Sequence, residues 1–225
     1  MKWILSSCEN FLAMRNPSSV DGAIVRLDAA LRGATGSSNR QGRPSPAQTL
    51  PDPPLSARDK RHAAGLMRVN HTGEVCAQAL YVGQASLSRD DPTRAALLEA
   101  AREEGDHLCW CRERLAELDS VPSRLNFFWF AGSFAIGLAA AALGDDWSLG
   151  FVEETERQVV RHLQGHLDEL PVYDERSRAI VTVMCDDEAR HADKAARRGS
   201  VPLPPPIRSL MKMHARVMTK IAYWI

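Results

Sequence analysis

The chain of 225 residues lacks an excess of charge, because 28 lysines and arginines balance 28 aspartates and glutamates. Proteins that bind nucleic acid through its phosphates are usually basic, so no nucleic-acid partner is predicted. The chain also lacks a Cys-x-x-Cys pair, and its five cysteines are an odd number. This pattern argues against a disulfide framework, a zinc ribbon and a thioredoxin-like site.

The first residues lack the apolar stretch of a secretory signal, since the run from Met1 to Leu5 is short and Glu9 follows it. Cys8 ends a segment similar to a lipoprotein cleavage box, but the missing apolar region argues against lipidation. Residues 1–19 are therefore predicted to be an N-terminal extension, and the cysteines are expected to be reduced thiols in the cytosol.

The rest of the chain divides into a linker region and one long helical domain. Residues 20–33 have helical spacing, and residues 33–56 are rich in Gly, Ser and Pro, so 20–56 is predicted as a short helix with a linker or surface loop. Residues 57–225 contain regularly spaced helix breakers and no confident strand pattern, which predicts an all-α bundle. The helices are expected at about 57–88, up to 118, 124–143, 147–169, 174–198 and 207–224.

Two Glu-x-x-His pairs stand out, Glu104 with His107 and Glu188 with His191. Residues three apart on a helix lie on one face, so each pair presents a carboxylate and an imidazole together. A single pair of this kind is weak support for a site. Each pair, however, lies on the second helix of a predicted hairpin whose first helix also carries glutamate.

Glu74 and Glu104 lie at nearly equal distances from the predicted turn at residues 89–92. Glu156 and Glu188 lie at nearly equal distances from the break at Pro171. Residues equidistant from the turn of an antiparallel hairpin lie at the same height. Two such hairpins packed face to face would place four Glu and two His in one layer of a four-helix bundle. Spacing alone does not decide which glutamate the first helix of the second hairpin contributes, because Glu153 and Glu154 lie close to Glu156 and fit almost as well.

This set of side chains is the one that carboxylate-bridged di-iron proteins use. Four buried carboxylates repel each other and become protonated unless positive charge is present, and two divalent metal ions supply it. Oxygen and imidazole ligands without thiolate favour iron or manganese. A structural bundle without metal would leave the four carboxylates unexplained.

Four motifs carry a resemblance to a known family. They are Arg68-Val69-Asn70-His71-Thr72-Gly73-Glu74 with Tyr81-Val82-Gly83-Gln84, Glu103-Glu104-Gly105-Asp106-His107, Glu154-Thr155-Glu156-Arg157-Gln158-Val159, and Asp187-Glu188-Ala189-Arg190-His191. In order and spacing they resemble the demethoxyubiquinone hydroxylase family of ubiquinone biosynthesis, over about residues 20–225. The resemblance implies a ferritin-like four-helix bundle with an additional apolar helix and a C-terminal amphipathic helix.

The resemblance also implies a ligand set for two iron ions per chain. The set is Glu74, Glu104, His107, Glu156, Glu188 and His191, with Glu104 and Glu188 bridging the metals. Glu156 is preferred to Glu153 and Glu154 because the family's ligand on this helix lies six residues before a histidine, here His162. His71 and His162 are candidates for residues that orient ligands, although direct ligation by His71 and a place for His162 near the substrate stay open. No catalytic residue beyond the ligands is predicted.

By resemblance, the chain is a monooxygenase that hydroxylates the ring of demethoxyubiquinol, a polyprenyl benzoquinol, with dioxygen. The expected partners are the quinol, dioxygen and the membrane surface, with an accessory lipid-binding protein and a homo-oligomer as further candidates. The expected location is peripheral, on the cytoplasmic face of the inner cell membrane. The alternative is another ferritin-like di-iron protein, either a tRNA hydroxylase or a protein that handles iron or peroxide. A nicotinamide-binding domain is not predicted, because no strand precedes a Gly-x-Gly-x-x-Gly motif.

Two further segments suggest contact with lipid. Residues 125–144 are uncharged and long enough to span a bilayer, but a span would separate the two hairpins and destroy the site. We therefore expect a helix that packs on the bundle and faces lipid or the entrance for an isoprenoid tail, with a plain buried helix as the alternative.

The last helix has basic residues at every fourth position and apolar residues opposite, which predicts binding to anionic lipid. The basic residues are Arg208, Lys212, Arg216 and Lys220. The alternative is a terminal helix docked on the bundle with a solvated basic face. His62 and His166 are predicted to face solvent.

Overall fold

The computed structural model describes residues 42–225, so the predictions for 1–19 and 20–33 lie outside the described residues. Within the described part the chain is all-α, as predicted, with six helices and no strand. The helices are α1 (Ala57–Leu87), α2 (Asp91–Glu117), α3 (Asn126–Ala142), α4 (Asp145–Glu169), α5 (Glu175–Arg197) and α6 (Pro205–Ala222).

Helices α1 and α2 form one hairpin, helices α4 and α5 form a second, and the two pack into a four-helix bundle. Short polar side chains start three of these helices. Ser56, Asp90 and Asp174 each accept a hydrogen bond from a backbone N–H in the first turn of α1, α2 and α5, which satisfies a donor that the helix itself leaves free. Gly144, with φ of 110°, precedes α4 without a side-chain cap.

Helix α3 lies outside the four-helix bundle and packs along α1. The two backbones approach closely at Gly83 and Gly137, where an added Cβ would lie 2.5 Å and 2.4 Å from backbone oxygens of the facing helix. The outer side of α3 is open, since Phe127 and Phe128 are 65% and 68% exposed. The expectation that α3 packs on the bundle is thus met, and the alternative of a fully buried helix is wrong. In residues 42–225, no helix has both the length and the hydropathy of a membrane span.

Helix α6 docks on the bundle by a narrow strip only. Met218 and Ala222 are buried and pack with Val69 of α1, while Leu210 and Val217 remain half exposed to solvent. The predicted apolar side of this helix is therefore divided between a bundle-facing strip and an exposed strip. The exposed strip runs beside the basic residues, all four of which are exposed.

The segment 42–56, within the region predicted as a linker or surface loop, packs against the bundle. Ala47 is 2% exposed and belongs to the same apolar cluster as Trp110. Asp52 Oδ1 accepts a hydrogen bond from Arg114 Nη1 at 2.9 Å. The segment is therefore attached to the domain at several points before α1 begins.

Candidate metal centre

Each long helix of the bundle contributes one buried glutamate to a common layer, and none of the four is more than 3% exposed. They are Glu74 on α1, Glu104 on α2, Glu156 on α4 and Glu188 on α5. Apolar clusters lie on both sides of this layer. One contains Leu97 and Val152, and the other contains Met67, Leu163 and Met184. The carboxylates are thereby shielded from water, which strengthens every charge interaction among them.

His107 is surrounded by three of the carboxylates. Its Nδ1 lies 3.3 Å from Glu74 Oε2, 3.0 Å from Glu104 Oε2 and 3.1 Å from Glu188 Oε1. One ligand atom from each of these four residues lies within 4.8 Å of all the others. The structure therefore brings four of the six predicted ligands into one compact group that spans both hairpins.

His191 occupies the corresponding position on the second hairpin. Its Nδ1 lies 3.0 Å from Glu188 Oε2 and 3.3 Å from Glu104 Oε1. Glu104 and Glu188 thus each contact both imidazoles, one through each oxygen. This is the arrangement expected of carboxylates that would bridge two metal ions, one ion beside each histidine.

Glu156 lies apart from the compact group but in the same buried layer. Its Oε1 accepts a hydrogen bond from the hydroxyl of Tyr81, whose ring is 6.3 Å from that of His191. Its Oε2 is buried and has no hydrogen-bond partner among residues 42–225. The two neighbouring glutamates point elsewhere, because Glu153 pairs with Arg157 and Glu154 with Gln158. Burial thus favours Glu156 among the three.

The pKa values of the layer are shifted by burial and by the contacts between its carboxylates and imidazoles. Burial raises the pKa of Glu74 and of Glu156 well above the usual value, and nearby carboxylates add to the effect. Burial opposes ionisation of Glu104 too, but hydrogen bonds from His107 and His191 outweigh it and lower that pKa. The same contacts overcome burial in the imidazoles and raise the pKa of His191 to about 12. Imidazolium ions thus supply the positive charge that the carboxylates require.

These residues fit a pair of divalent metal ions. Among the described residues, Glu156 Oε2 has no hydrogen-bond partner, and buried polar atoms are rarely left in this state, so it is a candidate ligand atom. Glu104 Oε1 and Glu188 Oε1 each face an imidazole Nδ1, at 3.3 Å and 3.1 Å, and are candidate ligand atoms as well. Both histidines direct Nδ1 toward the carboxylates, and no thiol from the described part of the chain joins the group. Cys111, although buried nearby, contacts Met184 instead. An oxygen-rich set with two imidazoles suits iron or manganese.

Two acidic contacts of the site histidines, one from buried Asp187 and one from partly buried Glu103, were missed by the sequence analysis. Asp187 Oδ2 lies 2.8 Å from Nε2 of His107, and Glu103 Oε2 lies 2.6 Å from Nε2 of His191. Carboxylates that accept the second ring N–H of a metal-binding histidine fix its tautomer and orientation. The signal was present in the sequence, since each residue directly precedes the glutamate of a Glu-x-x-His pair. Only the fold shows that each contacts the histidine of the other pair.

The remaining histidines occupy less expected places. His71 is buried, and its Nδ1 lies 3.3 Å from Asn126 Nδ2. His166 is 5% exposed, and its Nδ1 lies 2.7 Å from Asn70 Oδ1, so the prediction that it faces solvent is wrong. It is buried because α4 turns this face toward α1. His162 stacks edge-on against His166, with ring centroids 4.0 Å apart.

His62 was also predicted to face solvent, and it is instead half-buried. Its Nδ1 lies 2.8 Å from the hydroxyl of Tyr223, and its Nε2 lies 3.1 Å from the carbonyl of Glu169. The C-terminal end of the chain covers this ring. The residue pattern of α1 alone cannot predict this contact with a distant part of the chain.

The family described as Ubiquinone biosynthesis protein COQ7 matches residues 61–222. The chain belongs to the COQ7 family. It is 56% identical to the 3-demethoxyubiquinol 3-hydroxylase of Bordetella pertussis, over 94% of this chain and 95% of that protein. It is 55% identical to the enzyme of the same name from Xanthomonas campestris pv. campestris, over 92% of this chain and 94% of that protein. The resemblance inferred from the motifs is confirmed.

The COQ7 match contains all six candidate ligands together with Glu103 and Asp187. It begins after the segment 42–56, although that segment packs against the site. The all-helical architecture agrees with the ferritin-like bundle that the motifs predicted.

Proposed function

We propose that this COQ7 family member is a di-iron monooxygenase that hydroxylates demethoxyubiquinol with dioxygen. The observation that carries the proposal is the buried layer itself, in which two Glu-x-x-His pairs from opposite hairpins share two carboxylates. Burying four carboxylates costs desolvation energy, and two histidines can balance only half of their charge, so the layer suits the binding of metal cations. The relatives named 3-demethoxyubiquinol 3-hydroxylase, 55% to 56% identical over nearly the whole chain, supply the reaction and the substrate class.

We assign the two iron ions to the six residues of the layer. Glu74 and His107 would serve one ion, Glu156 and His191 the other, and Glu104 and Glu188 both. When bound, a reduced pair of iron ions would supply two electrons to dioxygen, so that one oxygen atom enters the ring and the other leaves as water, and an external two-electron donor would reduce the pair again. The four carboxylates balance the four positive charges of two ferrous ions, so the loaded layer is nearly neutral.

The protein's own residues hold and orient this site. Asp187 and Glu103 each accept the Nε2–H of a histidine, which leaves Nδ1 free to face a metal once its proton is lost. The Tyr81 hydroxyl donates to Glu156 and keeps its proton, because burial raises its pKa well above the usual value. The apolar clusters on either side exclude water from the layer.

We further propose that the enzyme takes its quinol at a membrane surface, on the cytoplasmic face of the inner membrane. The support is the exposed apolar side of α3, with Phe127 and Phe128, and the exposed strip of α6 with its basic neighbours. A polyprenyl tail is insoluble in water, so an enzyme outside the bilayer must meet it at the lipid interface or receive it from a lipid-binding partner. An accessory protein and a homo-oligomer remain part of the same proposal.

The test is to delete the gene and to profile the membrane quinones by mass spectrometry. Wild type, Glu188→Ala and Asp186→Ala are returned on separate plasmids. Asp186 is an exposed carboxylate two residues away on the same helix, so its variant controls for the loss of a negative charge. We expect demethoxyubiquinone to accumulate in the deletion strain, and wild type and Asp186→Ala to restore ubiquinone while Glu188→Ala does not.

Two outcomes would contradict the proposal. An unchanged ubiquinone level in a deletion strain that encodes no second hydroxylase would show that demethoxyubiquinol is not the substrate. If Glu188→Ala restored ubiquinone while present at the wild-type level, the buried layer would not be required for the reaction. The level is checked by immunoblot, because truncating a buried side chain also lowers stability.

A further inference from the structure

Arg43 lies ahead of the first helix and reaches the edge of the metal layer. Its Nη2 lies 2.6 Å from Asp187 Oδ2 on α5, and its Nε lies 3.1 Å from Asp106 Oδ2 on α2. The guanidinium also lies over the ring of Trp110, 4.9 Å from the centroid, while the indole N–H donates to the Arg43 carbonyl at 3.1 Å. Contacts with α2 and α5 therefore fix the position of the Arg43 side chain, and the hydrogen bond from Trp110 fixes its backbone.

We propose that Arg43 is a positioning residue for the iron site, which holds Asp187 against His107 and ties the two ligand-bearing helices α2 and α5 together. This inference rests on the proposed di-iron function and deepens it. It assigns a part in the site to a segment that lies before the COQ7 match over residues 61–222.

The contacts of Asp187 explain why an arginine is needed. One oxygen, Oδ2, accepts from both His107 Nε2 and Arg43 Nη2, while Oδ1 accepts from Arg190. A buried carboxylate that must orient an imidazole is held best when its own oxygens have fixed donors. Arg43 supplies one from the segment ahead of α1 and also contacts Asp106 on α2, whereas Arg190 lies on the same helix as Asp187 and cannot link two helices.

The planar guanidinium suits this place better than an ammonium group. Arginine presents several N–H groups in a rigid fork, so it can pair with Asp106 and Asp187 at once and still stack on an aromatic ring. A lysine at 43 would retain the charge but lose the fixed geometry. The side chain is 40% exposed, whereas Asp187 beneath it is 2% exposed, so Arg43 also covers the buried carboxylate from solvent.

The segment has a second anchor that provides a matched control. Asp52 pairs with Arg114, which has additional partners in Asp174 and Glu117 and lies away from the ligand layer. Asp52→Ala loosens the same segment without removing a contact to Asp187. A general effect of attaching the segment can thereby be separated from an effect on the site.

The experiment measures anaerobic Fe²⁺ binding to the full chain by competition with a chromophoric chelator. We expect wild type to bind two ions and Arg43→Ala to bind them about 10- to 100-fold more weakly, the range seen when outer contacts of metal ligands are removed. Arg43→Lys should fall between the two. Asp52→Ala should stay within about twofold of wild type. Circular dichroism checks that each variant remains helical.

A double-mutant comparison tests whether Arg43 acts through Asp187. In an Asp187→Asn background, Arg43→Ala should weaken Fe²⁺ binding by less than about threefold further, because the contact it serves is already lost. Additive effects, or an equal loss in Asp52→Ala, would overturn the inference, as would wild-type affinity in Arg43→Ala. A wild-type chain that bound no Fe²⁺ would overturn the proposed function as well, so the two failures are distinguishable.

Discussion

Glu103 Oε2 lies 2.6 Å from Nε2 of His191, so helix α2 provides the carboxylate that holds the imidazole of α5. The relationship is reciprocal, because Asp187 on α5 holds His107 on α2 at 2.8 Å. The two halves of the bundle therefore orient each other's histidines. The geometry of the site therefore depends on how the two hairpins pack.

The first prediction concerns these two orienting carboxylates. Glu103→Gln and Asp187→Asn keep the size of each side chain but replace an anion by a neutral amide, which weakens the hold on Nε2–H. Each should lower the affinity for Fe²⁺ by about 10- to 100-fold. Anaerobic titration measures the affinity, and Asp186→Asn, at an exposed position on α5, is the control. Wild-type affinity in both variants would show that these contacts are incidental.

The second prediction separates Glu156 from its two neighbours. Glu156 is buried with one unpartnered oxygen, whereas Glu153 and Glu154 pair with polar side chains near the surface. Glu156→Ala should reduce the bound iron from two ions to about one per chain after gel filtration. Glu153→Ala and Glu154→Ala should retain both ions. Loss of iron in Glu154→Ala with retention in Glu156→Ala would reverse the assignment.

The third prediction follows from the buried histidines outside the ligand layer. Burial lowers the pKa of His166 to about 3 and that of His71 to about 4, from the ordinary histidine value of 6.5. The unfolded chain therefore binds protons first as the pH falls, and the folded state loses stability between about pH 6.5 and pH 4. Each histidine contributes a slope of about 1.4 kcal/mol per pH unit in that window.

His166→Asn tests this slope, because the asparagine amide can still donate to Asn70 but does not titrate. Urea unfolding of metal-free protein at several pH values should give a curve less steep than that of wild type below pH 6.5. The matched control is His214→Asn, whose ring is exposed on α6. A control with the same reduced slope would mean that His166 is not the group responsible.

The fourth prediction concerns the lipid-facing role proposed for α6. Lys212→Glu combined with Arg216→Glu reverses the charge beside the exposed apolar strip. Each basic residue near an anionic surface contributes about 1 kcal/mol, so binding to vesicles rich in anionic lipid should weaken at least about tenfold. Flotation measures the bound fraction. The control reverses Arg58 and Arg61, which are also exposed and lie at the start of α1, and an equal loss there would point to unspecific charge attraction.

Much of the architecture was predictable because it rests on local rules. Helix boundaries follow breakers and caps such as Ser56 and Pro171, whose effect on the backbone does not depend on distant contacts. The ligand layer could be inferred because an antiparallel hairpin brings residues equidistant from its turn to one height. The structure brings Glu74, Glu104, His107 and Glu188 together accordingly, although their role as ligands stays a prediction.

The contacts between helices depend on how the helices are rotated and how closely they approach each other. The residue pattern of a single helix does not predict either quantity. His166 was misjudged because its helix alone does not show that α1 covers that face. Arg43 lies in a segment without periodicity, and Glu103 and Asp187 have a place in the family motifs but no role predicted from the sequence. The sequence by itself determined the helices through local propensity and breakers, and it determined the family and the set of candidate ligands through motifs that resemble that family. Only the tertiary structure decided which carboxylate orients which histidine, because that choice arises when the two hairpins pack face to face.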